Sequence, residues 1–299
     1  MTEISIVVPI YKEYENIKPF LQRTENILKK MEKSYEIIFA LDPSSDNTEE
    51  IILDEIKRNK NIKLLVFSRR FGQPAATIAG IVNCRGSYCV IIDVDLQDPP
   101  ELINELYKKI TAGYEVVYAK RKSRKGETFF KKIISSLGYY LIIKLSDIHI
   151  PKDAGDFRII SRKVIDQLKK LNESHGFLRG LVAFVGYSQS YVEYDRDERY
   201  AGKSKYNKFL GSLKIGLNGI IGFSSRPLFL MSVLGFTIAL LSFILGVWYL
   251  LQKISGIDLT PGLTTTVILI SFFAGVQLLG LGLLGEYVGR IYDEVKKRP

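Results

Sequence analysis

Histidine, cysteine and tryptophan are nearly missing from this chain: two, two and one among 299 residues. With His149 and His175 as the whole histidine complement, a His-rich metal centre and a histidine-driven acid–base mechanism lose their usual residues. Both histidines are read as structural. Cys84 and Cys89 form no CxxC pair; they are expected in the core, a pattern that suits a reducing compartment. No GxGxxG follows the first apolar run, which argues against a dinucleotide site. Gly202-Lys203-Ser204 ends like a P-loop, but Asp197 stands where the first glycine belongs, and YDRDERY rather than a strand precedes it. The opening MTEISIVVPI has no basic stretch leading into a long apolar one, so no cleavable signal peptide is expected.

What is present is positive charge and an uneven spread of apolar residues. Lysine and arginine number 42 against 32 acids, a formal net charge of +10, which asks for an anionic partner. Residues 227–251 and 263–285 contain no charged side chain. Each run is long enough as a helix to cross a hydrocarbon core of about 30 Å. The short connection QKISGIDLTPG makes the pair a hairpin. Lys203, Lys205, Lys208, Lys214 and Arg226 precede it, and Arg290, Lys296, Lys297 and Arg298 follow; the connection offers Lys253 against Asp258. The positive-inside rule therefore predicts a multi-pass protein of the inner (cytoplasmic) membrane, with the large N-terminal domain and both termini cytoplasmic. The basic residues concentrate beside these segments, so the predicted partner is a lipid bilayer and not nucleic acid.

Apolar, β-branched runs recur at residues 4–10, 35–41, 62–67, 88–92 and 114–119. Helical patterns lie between them at about 15–31, 48–60, 73–83 and 99–112. Such alternation predicts an α/β, Rossmann-like domain with a mainly parallel sheet. In such sheets ligands bind beyond the carboxyl ends of the strands, where YKEYEN, DPSSDNT, SRRFGQ and DVDLQDPP fall. The expected layout is a cytoplasmic domain over 1–206, a juxtamembrane amphipathic segment over 207–226, and the hairpin with its tail over 227–299. Within the first, 123–146 is basic, aromatic and interrupted by lysine, and is read as an interfacial amphipathic helix.

The stretch IIDVDLQDPP carries the chemistry. An extended chain sends alternate side chains to the same side, so Asp93 and Asp95 are expected to point together. Paired carboxylates share a proton or bind a cation. Oxygen donors with Gln97 nearby suit Mg²⁺ or Mn²⁺, ions that take remaining ligands from water and substrate phosphates. Asp98, ahead of Pro99-Pro100, is expected to cap the following helix. Asp42 is read as a ligand and Asp46 as a helix cap. Gly155-Asp156-Phe157-Arg158 reads as a polar interruption, with an Asp156–Arg158 ion pair and a site role weighed evenly.

In order, VVPIYKEYENI, LDPSSDNTEE, RRFGQPAATIAG, DVDLQDPPELI, DAGDFRIISRKV and RYAGKSKY precede the two apolar runs. The whole chain resembles family 2 glycosyltransferases of the GT-A fold, in the polyprenyl-phosphate branch that includes dolichol-phosphate mannose synthases and bacterial bactoprenol glucosyltransferases. FLRGLVAFVGY and RYAGKSKY look closest to the latter. The resemblance implies inverting transfer of a hexose from a nucleotide-sugar donor to a polyprenyl (undecaprenyl) phosphate at the cytoplasmic face, for cell-envelope glycans such as O-antigen. Glucose from UDP-glucose is the expected donor sugar; GDP-mannose or UDP-aminoarabinose chemistry is the alternative. It assigns Asp95 and Gln97 to the metal and diphosphate, with Asp95, Asp93 and Asp156 as the catalytic acids. Pro9, Tyr11, Glu13, Asp42, Asp93 and Gln97 would bind the nucleotide sugar. Arg121, Lys131, Ser135, Arg199 and Lys203 would hold the acceptor phosphate. A homo-oligomer, in that branch a tetramer, is implied too. The family's usual Asn-Glu is Lys12-Glu13 here, and its Asp-Asp-Gly-Ser is Leu41-Asp42-Pro43-Ser44, so the second acid of each pair survives.

An acceptor phosphate is already anionic near neutral pH and needs cationic positioning more than a strong base. That agrees with a chain rich in lysine and poor in histidine. Processive synthases of the same fold carry Gln-x-x-Arg-Trp, whereas the single tryptophan here, Trp248, lies inside an apolar run. A non-catalytic, membrane-anchored lipid- or partner-binding protein is the remaining alternative.

Overall fold

The computed structural model describes residues 2–122, 154–171, 177–197, 199–201, 221–255 and 262–296. The predicted interfacial helix over 123–146, Lys131, Ser135, Lys203, both histidines and most of 207–226 lie outside them.

The first strands form where β-branched residues run together, and their limits follow the sequence expectation closely. β1 (Ile4–Ile10), β2 (Tyr35–Leu41), β3 (Ile62–Val66) and β4 (Tyr88–Ile91) alternate with α1 (Tyr14–Lys30), α2 (Thr48–Arg58) and α3 (Gln73–Asn83). A 3₁₀ turn at Pro100–Leu102 leads into α4 (Ile103–Thr111), and β5 (Val116–Arg121) follows. Next come β6 (Ala154–Ser161), α5 (Arg162–Leu168), α6 (Leu178–Val185) and β7 (Gln189–Tyr194). The sheet order is β3-β2-β1-β4-β6-β5-β7. β6 runs antiparallel to β4 and β5, and every other pairing is parallel.

β1 and β2 are buried along nearly their whole length, as strands covered on both faces must be. Ile17, Phe20, Leu21 and Leu28 of α1 bury one stripe, spaced at helical intervals. Phe20 meets Phe39 of β2 edge-to-face, ring centroids 6.3 Å apart, a geometry that adds about 0.5–1.5 kcal/mol beyond burial. α3 lies so close to β1 that a Cβ on Gly80 would stand 2.3 Å from Val7 Cγ1. Cys84 and Cys89 are buried free thiols, as expected.

β6 corrects the reading of residues 155–158 as an interruption between apolar pieces. Phe157, Ile159 and Ile160 are fully buried, and the strand inserts between β4 and β5. The Asp156–Arg158 ion pair does not form either. Arg158 is buried and donates to the backbone carbonyls of Gly155, at 2.9 Å, and Asp156, at 3.3 Å. Burial pushes its pKa down to about 10.

The described residues divide into two compact units, the sheet domain and a C-terminal pair of helices. α7 (Arg226–Ile254) and α8 (Leu263–Lys296) are both long and apolar enough to cross a membrane. They pack on each other: a Cβ on Gly280 would meet Met231 Cε at 3.1 Å, and the Tyr287 hydroxyl donates to Ser224 O at 2.7 Å. α8 continues past the uncharged run expected to end at 285. Its last turns are amphiphilic and carry an i,i+4 pair, Glu286–Arg290 at 3.2 Å.

Candidate functional site

The carboxyl ends of the parallel strands gather the loops that the sequence singled out. β4 stops at Ile91, and its neighbour's last ladder bond is Ile92 N–H to Val7 O at 3.1 Å. Asp93-Val94-Asp95 is therefore not extended, which corrects the alternation argument. The chain turns instead, Val94 is buried, and Leu96 takes a left-handed φ of 59°. A leucine there is strained, and such strain persists where surroundings over-determine the backbone. The turn folds back on itself, with Gln97 N–H donating to Asp95 Oδ1 at 3.1 Å.

Asp98 is not a helix cap. Its buried carboxylate accepts the Tyr194 hydroxyl and lies 3.5 Å from Arg196 Nε, so it ties the turn to β7. The helix begins with Pro99 at its cap and no side-chain cap bond. Asp46 sits one residue before the α2 cap, Asn47, and accepts from Ser44 Oγ at 2.6 Å and Thr48 N–H at 3.4 Å.

Asp93 lies among acids. Burial first, then Asp156, Asp98 and Asp95, push its carboxyl up to about 8, because confined like charges disfavour ionisation. Among the described residues its hydrogen-bond partner is neutral: Gln73 Nε2, at the start of α3, donates to Oδ1 at 2.9 Å. Asp156, at the β6 end of the cluster, is held differently. Arg179 from α6 grips both its oxygens, at 2.8 and 3.3 Å. Burial works to raise Asp156, but Arg179, then Arg158 and Arg121, outweigh it and hold it below the usual carboxylate range.

The other residues that the resemblance assigned to the nucleotide sugar lie on the neighbouring strands β1 and β2 and the loops that follow them. Pro9 is buried in β1 beside Ala40. Asp42 directly follows β2 and accepts Phe71 N–H at 3.0 Å and Gly72 N–H at 2.8 Å. Gly72 has a φ of 90°, which explains glycine in FGQ. The Arg70 guanidinium stands 4.1 Å from the Tyr11 ring centroid, a cation–π distance. Glu13 accepts Asn16 Nδ2 at 2.6 Å and lies 3.5 Å from Arg199 Nη1. Arg199 also reaches Asp95, Nη2 to Oδ2 at 2.7 Å. Arg121 ends β5 and donates from Nε to the Tyr194 hydroxyl at 3.3 Å.

The structure thus brings Pro9, Tyr11, Glu13, Asp42, Asp93, Asp95, Gln97, Asp156, Arg121 and Arg199 to one edge of one sheet. Sequence reasoning did not single out Arg179, Gln73, Arg70, Arg196 or Tyr194 individually. RRFGQ and FLRGL contain the first three, but nothing in their spacing names a partner. The described residues hold no cluster of three or more His, Cys, Asp or Glu able to cage a metal by itself. Asp95 and Gln97 are hard oxygen donors on one turn, a set that fits an ion taking its other ligands from elsewhere.

A mainly parallel sheet with helices between its strands, and a carboxylate turn at its C-terminal edge, is an α/β fold of the GT-A kind. The chain belongs to glycosyl transferase family 2, whose family model matches residues 5–169. It is a glycosyltransferase. An uncharacterized glycosyltransferase, YkcC, of Bacillus subtilis is 43% identical over 99% of this chain and 92% of its own. The SfII prophage-derived bactoprenol glucosyl transferase of Shigella flexneri is 38% identical over 99% and 96%. Among solved structures, the mannosyltransferase PcManGT of Pyrobaculum calidifontis, in complex with GDP-Man and Mn²⁺, superposes with a TM-score of 0.52 at 14% identity. It covers 97% of this chain and 87% of its own, a likeness in fold.

Proposed function

We propose that this enzyme transfers a hexose, glucose from UDP-glucose, to a polyprenyl phosphate at the cytoplasmic face of a membrane, with inversion at the anomeric carbon. The observation that carries the reading is the acidic turn: Asp93 and Asp95 stand together at the sheet edge with Gln97 beside them, on a chain similar over its whole length to bactoprenol glucosyl transferases. Asp95 and Gln97 would hold Mg²⁺ or Mn²⁺, an ion that when bound offsets charge on the departing nucleoside diphosphate. Pro9, Tyr11, Glu13 and Asp42 line the donor end, and Asp42 fixes the Phe71-Gly72 loop against it. Arg121, with Lys131, Ser135 and Lys203, would bind the acceptor phosphate. Asp156, kept ionised by Arg179, faces the sugar. In-line attack by the phosphate oxygen forms the new glycosidic bond as the diphosphate leaves with its electron pair.

The two apolar helices support the membrane half of the proposal. Phe236, Phe243 and Leu279 are each more than two-thirds exposed, and α8 is about 50 Å long at 1.5 Å per residue, enough to cross and emerge. Contiguous apolar surface of this kind requires a lipid or protein cover.

Purified full-length protein, undecaprenyl phosphate and Mn²⁺ are incubated with UDP-glucose, UDP-galactose, GDP-mannose and UDP-N-acetylglucosamine in separate reactions, and lipid products are identified by mass spectrometry. A hexosyl-phosphoryl lipid from UDP-glucose is expected. A product from another donor alone overturns the sugar assignment, and no product from any donor overturns the acceptor class.

A further inference from the structure

The acidic turn already faces one cation of the chain's own. After β7, residues 195–197 and 199–201 lie against it through two backbone bonds: Asp197 N–H to Gln97 O at 3.1 Å and Tyr200 N–H to Asp95 O at 3.3 Å. That anchorage delivers the Arg199 guanidinium to Asp95 at 2.7 Å and to Glu13 at 3.5 Å. The Asp95 and Arg199 side chains are 7% and 24% exposed, so solvent screens the contact weakly. Arg196, three residues earlier and nearer β7, goes instead to Asp98 at 3.5 Å. The two arginines add the same charge to the same turn, but only Arg199 takes an oxygen of Asp95.

We propose that Arg199 is a displaceable internal counter-ion: it occupies Asp95 in the donor-free enzyme and must release it before a divalent ion binds there. The inference rests on Asp95 as a metal ligand in the function proposed above. A guanidinium and a hard cation compete for the same carboxylate lone pairs. A charge-assisted hydrogen bond contributes about 1.5–3 kcal/mol, and each 1.4 kcal/mol is tenfold in affinity. Free metal therefore binds poorly alone and well with a donor diphosphate, which brings ligands of its own. The consequence is an ordered site, in which Arg199 keeps Asp95 paired and placed until donor arrives.

The experiment is a titration of detergent-solubilised full-length protein with Mn²⁺ alone, followed by electron paramagnetic resonance of the free ion. Arg199→Gln is expected to bind Mn²⁺ roughly tenfold or more tightly than wild type. Arg199→Lys, which keeps the charge and loses the fork, falls between. Arg196→Gln removes an equal charge without vacating Asp95, and is expected to shift affinity far less. Thermal melting of each variant verifies that it is folded. Equal Mn²⁺ affinity in wild type and Arg199→Gln, or no binding in either, overturns the counter-ion role. An equal gain in Arg196→Gln overturns it too, since the effect is then one of field alone. Adding Asp95→Asn to Arg199→Gln separates the two readings. If the double variant keeps the tight binding, Asp95 is not a ligand and the metal assignment fails with it.

Discussion

Two acids at opposite ends of the same sheet show what separates support from chemistry. Glu36 lies at the amino end of β2, almost fully buried, and every approach to it is compensated. It accepts Ser5 Oγ and Arg85 N–H, each at 2.6 Å, and pairs with Lys63. Burial works to raise its pKa, but Lys63, Ser5 and the Arg85 amide outweigh this and hold it below the ordinary value. Asp93, past the carboxyl end of β4, has three acids for neighbours and the Gln73 amide for a hydrogen-bond partner, and is pushed up to about 8. One acid is satisfied by the fold; the other is left for a ligand to satisfy. Perturbation of that second kind marks functional sites.

The sharpest way to break the contrast is to remove charge at the C-terminal edge. Asp95→Asn is expected to lower sugar transfer at least about 10²-fold, as loss of a group aimed at developing charge does, with melting temperature nearly unchanged. Retained activity would remove the acidic turn from the chemistry. At the amino end the effect moves to stability. Glu36→Ala leaves Ser5 Oγ and the Arg85 amide without their buried acceptor, at a cost of about 1–3 kcal/mol, read by urea unfolding of the solubilised protein. Turnover per folded molecule should not change. The cost depends on pH with a definite sign. Glu36 has a folded pKa below its unfolded one of about 4.3. Its contribution is therefore fully present above that value and is lost as pH falls through the folded pKa. Wild type and Glu36→Ala should converge in stability toward acid, and a gap that widens there would reverse the argument.

How far the sequence foretold these two ends differs for a physical reason. β1 to β4 and α1 to α3 were legible because local periodicity and β-branched runs coincide with the elements; β1, β2 and α3 match residue for residue. β6 was not, since a short apolar piece becomes a strand only through partners distant in sequence, here Tyr88 to Ile91 and Val116 to Tyr118. The chemistry of IIDVDLQDPP was readable from its residue types, but its geometry was not: Leu96 at a φ of 59° is a tertiary outcome that no spacing announces. Arg179 escaped for the same reason, and so did the pairing of Arg199, which the resemblance assigned to the acceptor phosphate. Their carboxylates, Asp156 and Asp95, lie 23 and 104 positions away in the chain, and charge pairing over such separations leaves no pattern in a single sequence.

The smallest effect tests whether the C-terminal edge holds its acids at a cost. If Asp93 is crowded by Asp156, Asp98 and Asp95, then folding at neutral pH must protonate it, and Asp93→Asn removes that cost while its amide oxygen still accepts from Gln73 Nε2. Among the described residues no cation forms an ion pair with Asp93, so the sheet domain does not depend on that charge. The variant should therefore melt about 2–4 °C higher than wild type in chelator at neutral pH, the shift that about 1 kcal/mol gives a domain of this size. The same substitution is expected to depress sugar transfer, as stabilising a strained site often does. Differential scanning fluorimetry reads the first effect, with the donor assay beside it for the second. Wild type and Asp93→Asn melting together would mean the acids are already neutralised within the fold. The contrast with Glu36 would then be one of position rather than of charge.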